Sequence, residues 1–140
     1  MSKIKLDWRG NMSFSTELNG HEIIIDADDS VGGKDQGPRP KPLVLVALGG
    51  CTGMDVVSIL RKMRVKDYKL AIEVNGEMTT EHPKYYKSIV VNYNFKGKNL
   101  PEEKIKKAVN LSETRYCGVT AMLSEAAEIK NNIFINGNKL

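Results

Sequence analysis

The sequence is poor in the residues that cross-link a chain or ligate metals. Its 140 residues hold two cysteines, two histidines, one tryptophan and three phenylalanines. Two cysteines exclude a disulfide-rich scaffold, because small domains of that kind build their framework from four or more. No CxxC occurs, which removes the usual support for thioredoxin-like chemistry and zinc ribbons. Two His and two Cys, well separated, also give a metal site poor support, so no metal or cofactor is expected. An excess of one charge sign is missing too: 21 Lys and Arg stand against 17 Asp and Glu, a net +4. With no dense basic stripe, nucleic acid is not an expected partner. The longest apolar run, Leu43 to Leu48, is far shorter than the roughly 20 residues needed to span a bilayer. The opening MSKIKLDW lacks the apolar core of a secretory signal, so the expectation is a cytoplasmic protein without membrane association. With 12 Gly, 5 Pro and 41% hydrophobic residues, collagen-like and disordered classes are excluded.

What is present fits one domain, since most domains run to about 100–150 residues; residues 1–140 are read as a single unit. The first 26 residues alternate. Ile4, Leu6 and Trp8 share one face of a strand, and Met12, Phe14 and Thr16 share a face of the next. Asn19-Gly20 predicts a type I′ hairpin turn, which needs positive φ at both central residues, and Glu22 to Asp26 completes a meander. Residues 27–42, with three Gly and three Pro, read as a loop of a length that is usually functional. Residues 43–64 predict a long central helix, apolar on all sides in its first half and ending on Arg61, Lys62 and Arg64. A helix apolar all round implies burial all round, and in so small a domain that suggests cover from a second subunit. Residues 68–80 and 87–96 alternate again about a turn at Glu81-His82-Pro83, predicting a long hairpin. Leu100-Pro101-Glu102-Glu103 marks a helix start that would run to about Ser112. Tyr116 to Ala127 repeats helical spacing, and Asn131 to Asn136 reads as a last strand. The order βββ, long α, ββ, αα, β defines an α+β fold class.

The chemistry of the chain centres on its thiols. Cys51 sits among Gly49, Gly50 and Gly53 in the middle of the predicted helix. Each glycine costs about 1 kcal/mol there relative to alanine, which makes sense if another backbone or a substrate approaches closely. Asp55 lies at i+4 from Cys51, on the same helix face. A thiol at its ordinary pKa is only a few per cent thiolate at neutral pH. A carboxylate beside it makes that worse, so a cation such as Arg39 is needed as an offset. Cys117 opens the second C-terminal helix, at the positive end of the helix dipole. Two readings stay open: a redox pair, or two buried thiols acting as small hydrophobes. A permanent disulfide is not expected in a cytoplasmic chain. His21, beside a turn, and His82, before Pro83, read as solvated loop residues. Gly32-Gly33-Lys34 lacks the spacing of a phosphate loop and the hydroxyl residue after its lysine. Met12, Met54, Met63 and Met122 read as mostly core.

The segment Ala47-Leu48-Gly49-Gly50-Cys51-Thr52-Gly53-Met54-Asp55-Val56-Val57-Ser58-Ile59-Leu60 resembles the central helix of the OsmC/Ohr family, especially its YhfA-like branch. Ser112 to Leu123, around Tyr116-Cys117-Gly118, resembles that family's second cysteine motif, and the element order and length match over nearly the whole chain. The resemblance implies an OsmC-like fold with antiparallel sheets around a long central helix, in an intertwined homodimer with sites at the interface. It also implies thiol peroxidase chemistry in oxidative and osmotic stress. Cys51 matches the position that attacks an organic hydroperoxide, Cys117 the position that resolves the sulfenic acid as a disulfide, and a lipoyl-type dithiol the reductant. The family's peroxidases carry Pro-Glu or Pro-x-Glu at the helix start, where that glutamate orients an arginine; here the stretch is Pro40-Lys41-Pro42. The competing expectation is a noncatalytic dimer whose interface pocket, lined by Leu48, Met54 and Met122, holds a small apolar ligand.

Overall fold

Asn19 and Gly20 both take positive φ, 53° and 79°, the backbone that a type I′ turn demands. The structure, a computed structural model, describes residues 1–140. The turn joins β2 (Ser13–Leu18) to β3 (His21–Ile25), and β1 (Asp7–Gly10) pairs on the other edge of β2, all antiparallel. The first strand thus begins at Asp7, not Ile4. Ile4 and Leu6 precede it and are exposed, as are Trp8, Met12 and Phe14. The predicted loop is built on one side chain. Asp26, buried, accepts the backbone N–H groups of Ala27, Lys34 and Gln36. Burial pushes its carboxyl pKa up, but these three donors and Arg39 outweigh burial and hold it below the ordinary value. Within the loop a short 3-10 turn, Asp29–Val31, is capped by Asp28. A Cβ on Gly33 would overlap the Ala27 carbonyl, so the Gly32-Gly33 pair serves the loop's packing.

The chain folds as two compact units, Met1–Val44 and Leu45–Leu140. Helix α1 (Pro40–Lys62) begins three residues earlier than the pattern predicts. Pro40 and Pro42 fall in its first turn, where a missing N–H costs nothing. It ends two residues early because Arg64 turns to φ 59°. In the second unit, β4 (Tyr68–Met78) and β5 (Tyr86–Gly97) form the long antiparallel hairpin. Then come α2 (Glu102–Leu111), a π turn over Ser112–Tyr116, α3 (Gly118–Leu123), β6 (Glu128–Ile135) and the short β7 (Asn138–Lys139). Strand β6 starts three residues before the predicted one. It runs parallel to β5, the single parallel pair in the sheet order β4-β5-β6-β7. A parallel partner needs a crossover, and α2, the π turn and α3 supply it. Helix α3 stops at Leu123 where helical spacing pointed to Ala127.

Residues at i, i+4, i+8 and i+12 of α1, namely Leu48, Thr52, Val56 and Leu60, form its buried stripe. They pack with Ile89, Val91, Tyr93 and Phe95 of β5 and with Ile105, Ala108 and Val109 of α2. Each large aliphatic side chain buried there contributes about 1.5–3 kcal/mol. Gly49 and Gly53 admit β4: added Cβ atoms would meet Val74 at 3.0 Å and Ile72 at 2.8 Å. The rest of α1 is not buried. Val46, Gly50, Met54 and Val57 are exposed, so within this chain the apolar helix is covered on one side only. Met12 and Met122 are exposed too, and only Met63 packs against the core. Counted as a helix, α1 does have the length and apolarity to cross a bilayer, with a mean hydropathy of 2.0 over 18 of its residues. Its polar stripe residue Thr52 is hydrogen-bonded inside the protein, as suits a core helix.

Candidate active site

Cys51 and Asp55 lie one turn apart on α1. Cys117 reaches them because of how α2 ends. The Cys117 N–H bonds the Ser112 carbonyl at 2.8 Å, an i→i+5 closure that widens the last turn. Cys117 then adopts extended backbone (φ −74°, ψ 100°) and caps α3, its Sγ accepting the Thr120 N–H at 3.3 Å. The two Sγ atoms and an Asp55 carboxylate oxygen all lie within 4.8 Å of one another. Both thiols are free; Cys51 is half-buried and Cys117 is buried, 3% exposed.

Burial pushes the Cys51 thiol pKa above its ordinary value, and its hydrogen bond with Cys117 adds to the rise. The Val119 N–H favours the thiolate, while the charges of Cys117 and Asp55 oppose it. No cation is among these groups, so Cys51 rests as the protonated thiol at neutral pH. Arg39 is held within the N-terminal unit, donating to Asp35, to the Gly37 carbonyl at 3.0 Å and to Asp28 at 3.4 Å. Lys41 and Pro42, at the place of the family glutamate, are exposed, as are His21 and His82.

These causes set a direction for reactivity. The rate of Cys51 alkylation by iodoacetamide is expected to climb as pH rises beyond the ordinary thiol range. At a fixed pH below that climb, Asp55→Asn is expected to label faster than the parent, because the repelling charge is gone. Mapping the labelled peptide at each pH checks this; slower labelling of Asp55→Asn would contradict it.

A second feature went unread in the sequence. Ser112 donates to Asp55 Oδ2 at 3.1 Å. Its proton being used there, Thr52 must donate to Ser112 (2.8 Å) and Tyr93 to Thr52 (2.6 Å). Tyr93 suits the donor's end, since burial pushes its pKa up to about 12. Three buried hydroxyls thus point their protons, one after another, at the Asp55 carboxylate. The legible signals were a threonine on the apolar Leu48–Val56 stripe and a tyrosine on an otherwise apolar strand face.

Of the residues expected to line an interface pocket, Leu48 is fully buried in the core, and Met54 and Met122 are exposed. An apolar groove of about 580 Å³ lies between α1 and β4, lined by Leu45, Val46, Gly50, Val57 and Ile72 among others.

An α+β chain whose long helix carries a thiol and a carboxylate that meet a second thiol at the start of a later helix defines a class of thiol-bearing proteins. A family model described as OsmC-like protein matches residues 33–132, and the chain belongs to the OsmC-like family. It is 32% identical over 129 residues to Protein YhfA of Escherichia coli (strain K12), covering 91% of this chain and 93% of that one. A crystal structure of a hypothetical protein from Aquifex aeolicus VF5 superposes with a TM-score of 0.85 at 29% identity, over 97% of this chain and 96% of that one. An organic hydroperoxide resistance protein from Elizabethkingia anophelis shares the fold at 14% identity, with a TM-score of 0.65 over 97% and 98% of the two chains.

Proposed function

We propose that this protein is a cytoplasmic two-cysteine redox protein that reduces organic hydroperoxides or small disulfides, with residues 1–140 as one OsmC-like domain. The observation that carries the reading is the convergence of the Cys51 and Cys117 sulfurs. The Cys51 thiol gives up its proton and the thiolate attacks the distal oxygen of ROOH; the O–O bond breaks, a proton returns to the departing alkoxide, and ROH leaves with Cys51 as sulfenic acid. The Cys117 thiol then condenses with it, releasing water and forming the disulfide. A dithiol, lipoyl-type by family resemblance, returns both thiols and is itself oxidised. Asp55 sits beside the attacking sulfur as a negative charge, and Arg39, the cation read as its offset, is paired with Asp28 and Asp35. The raised Cys51 pKa makes this a slower thiol chemistry than one with a cation at the sulfur. The test is one equivalent of cumene hydroperoxide added to reduced protein, with thiols counted and intact mass recorded. Loss of two thiols and of about two mass units is expected; two intact thiols after an hour would overturn the reading.

The reading includes a homodimer covering the exposed apolar face of α1. Gly50 tests it cleanly, since a Cβ there meets nothing within 4 Å inside the chain. Gly50→Leu is expected to keep the wild-type circular dichroism while its light-scattering mass falls from dimer to monomer. A dimeric Gly50→Leu would count against that interface. The groove between α1 and β4 favours a second reading, a noncatalytic dimer with a small apolar ligand, in which both thiols would label slowly and survive hydroperoxide.

A further inference from the structure

We propose that the reduced site binds one zinc ion per chain through the Cys51 and Cys117 thiolates and the Asp55 carboxylate. The inference rests on the same meeting of the two thiols as the redox reading, but it needs neither hydroperoxide nor reductant. Counting only histidine and cysteine in the sequence gave a metal poor support; the fold supplies the third ligand from a carboxylate.

Three observations converge. First, two sulfurs and a carboxylate oxygen, each able to give one ligand atom, lie mutually within 4.8 Å. Tetrahedral zinc, with bonds of about 2.3 Å to sulfur, sets two sulfurs about 3.8 Å apart, so closure needs a movement of at most about 1 Å. Second, the carboxylate is uncompensated: none of the chain's ion pairs includes Asp55. Third, Asp55 is already oriented by the buried Ser112 hydroxyl, itself held by Thr52. Ligand carboxylates in metal sites are fixed by such outer hydrogen bonds. Asp55 also borders a pocket of about 420 Å³ with Ser58, Lys62 and Tyr116. Two thiolates select a soft or borderline cation over magnesium or calcium, and zinc, having no redox chemistry, leaves them reduced.

Binding releases two thiol protons to solvent. Oxidation by a hydroperoxide balances as zinc dithiolate plus ROOH plus two protons, giving the disulfide, free zinc, ROH and water. Bound zinc would therefore occupy the attacking sulfur, and oxidation would free the metal.

Cobalt(II) serves as the spectroscopic probe. Titrated anaerobically into reduced wild-type protein, it is expected to saturate at one equivalent with an intense near-ultraviolet thiolate-to-cobalt band, and zinc is expected to displace it. Cys51→Ser and Cys117→Ser should lose the site. Ser112→Ala should weaken binding about ten- to a hundredfold, the usual effect of removing an outer-shell partner. Wild-type protein with both thiols alkylated, checked by circular dichroism, should show no band and controls for folding. Absence of the band in reduced wild type, or an equal band after alkylation, overturns the zinc site. The two readings fail separately. Thiols lost to hydroperoxide without any cobalt band would sink the zinc site and keep the redox protein; a stoichiometric band with thiols inert to hydroperoxide would do the reverse.

Discussion

Cys51→Ser is expected to abolish hydroperoxide consumption, whereas Cys117→Ser is expected to undergo a first oxidation and then stall. The asymmetry comes from the surroundings of the two sulfurs. Cys51 is half-buried, on the interior of α1, and receives the Val119 N–H. Cys117 is buried, and its sulfur already accepts a hydrogen bond from Thr120 at the start of α3. The more accessible sulfur meets the peroxide; the enclosed one waits beside it. Without Cys51 no attacking thiol remains in reach of substrate. Without Cys117 the sulfenic acid at Cys51 has no thiol to condense with, so excess peroxide carries it on to sulfinic acid. Intact mass separates the cases: Cys117→Ser should gain about 16 and then about 32 mass units, and wild type should lose about two. Turnover in the presence of a dithiol should fall to background in Cys51→Ser and only drop in Cys117→Ser, where the dithiol must meet the sulfenic acid itself. Equal activity of both variants and wild type would remove the thiol pair from the chemistry.

The parts of this site that were legible in the sequence are those written as local patterns. The alternation of Ile89, Val91, Tyr93 and Phe95 marks the face of β5 that is buried, and Asn19-Gly20 marks the separate β2–β3 hairpin, because period and turn chemistry are short-range properties. Cys51 and Asp55 share a helix face by arithmetic alone. Local pattern fails where geometry is made by distant chain. Cys117 arrives beside Cys51 through an i→i+5 closure at Ser112, and nothing in Ser-Glu-Thr-Arg-Tyr separates a π turn from a helix end. The direction of β6 depends on a crossover, so its composition shows a strand but not that it runs parallel to β5. Which part of α1 this chain itself covers is hidden for a related reason. Hydropathy shows that Val46, Met54 and Val57 avoid water, without showing whether this chain or another covers them. The Tyr93–Thr52–Ser112 hydroxyl chain links residues 41 and 60 positions apart, beyond the reach of any periodicity.

That hydroxyl chain carries the largest expected effect on stability. Thr52→Val nearly conserves volume in a fully packed site, yet it should destabilise the protein by about 2–4 kcal/mol, because the hydroxyl it removes is the middle of three. Tyr93, 1% exposed, would keep its O–H with no acceptor, at a cost of about 1–3 kcal/mol for an orphaned buried donor. Ser112, with no solvent exposure, would lose the donor that completes it while still donating to Asp55. Tyr93→Phe removes an end of the chain instead, leaving Thr52 to donate to Ser112 as before, and should cost about 1 kcal/mol. The order Thr52→Val worse than Tyr93→Phe is a consequence of which proton goes where, not of volume. The double variant makes it sharper: with the orphaned phenol gone, Thr52→Val with Tyr93→Phe should be more stable than Thr52→Val alone, a coupling of opposite sign to simple addition. Urea midpoints of the three variants at constant slope decide the matter. Additive losses, or a Tyr93→Phe loss exceeding that of Thr52→Val, would mean that the three hydroxyls do not form one directed chain. Tyr93 and Thr52 would then have no hold on the Asp55 carboxylate, and its place beside the two sulfurs would depend on α1 and the Ser112 bond alone.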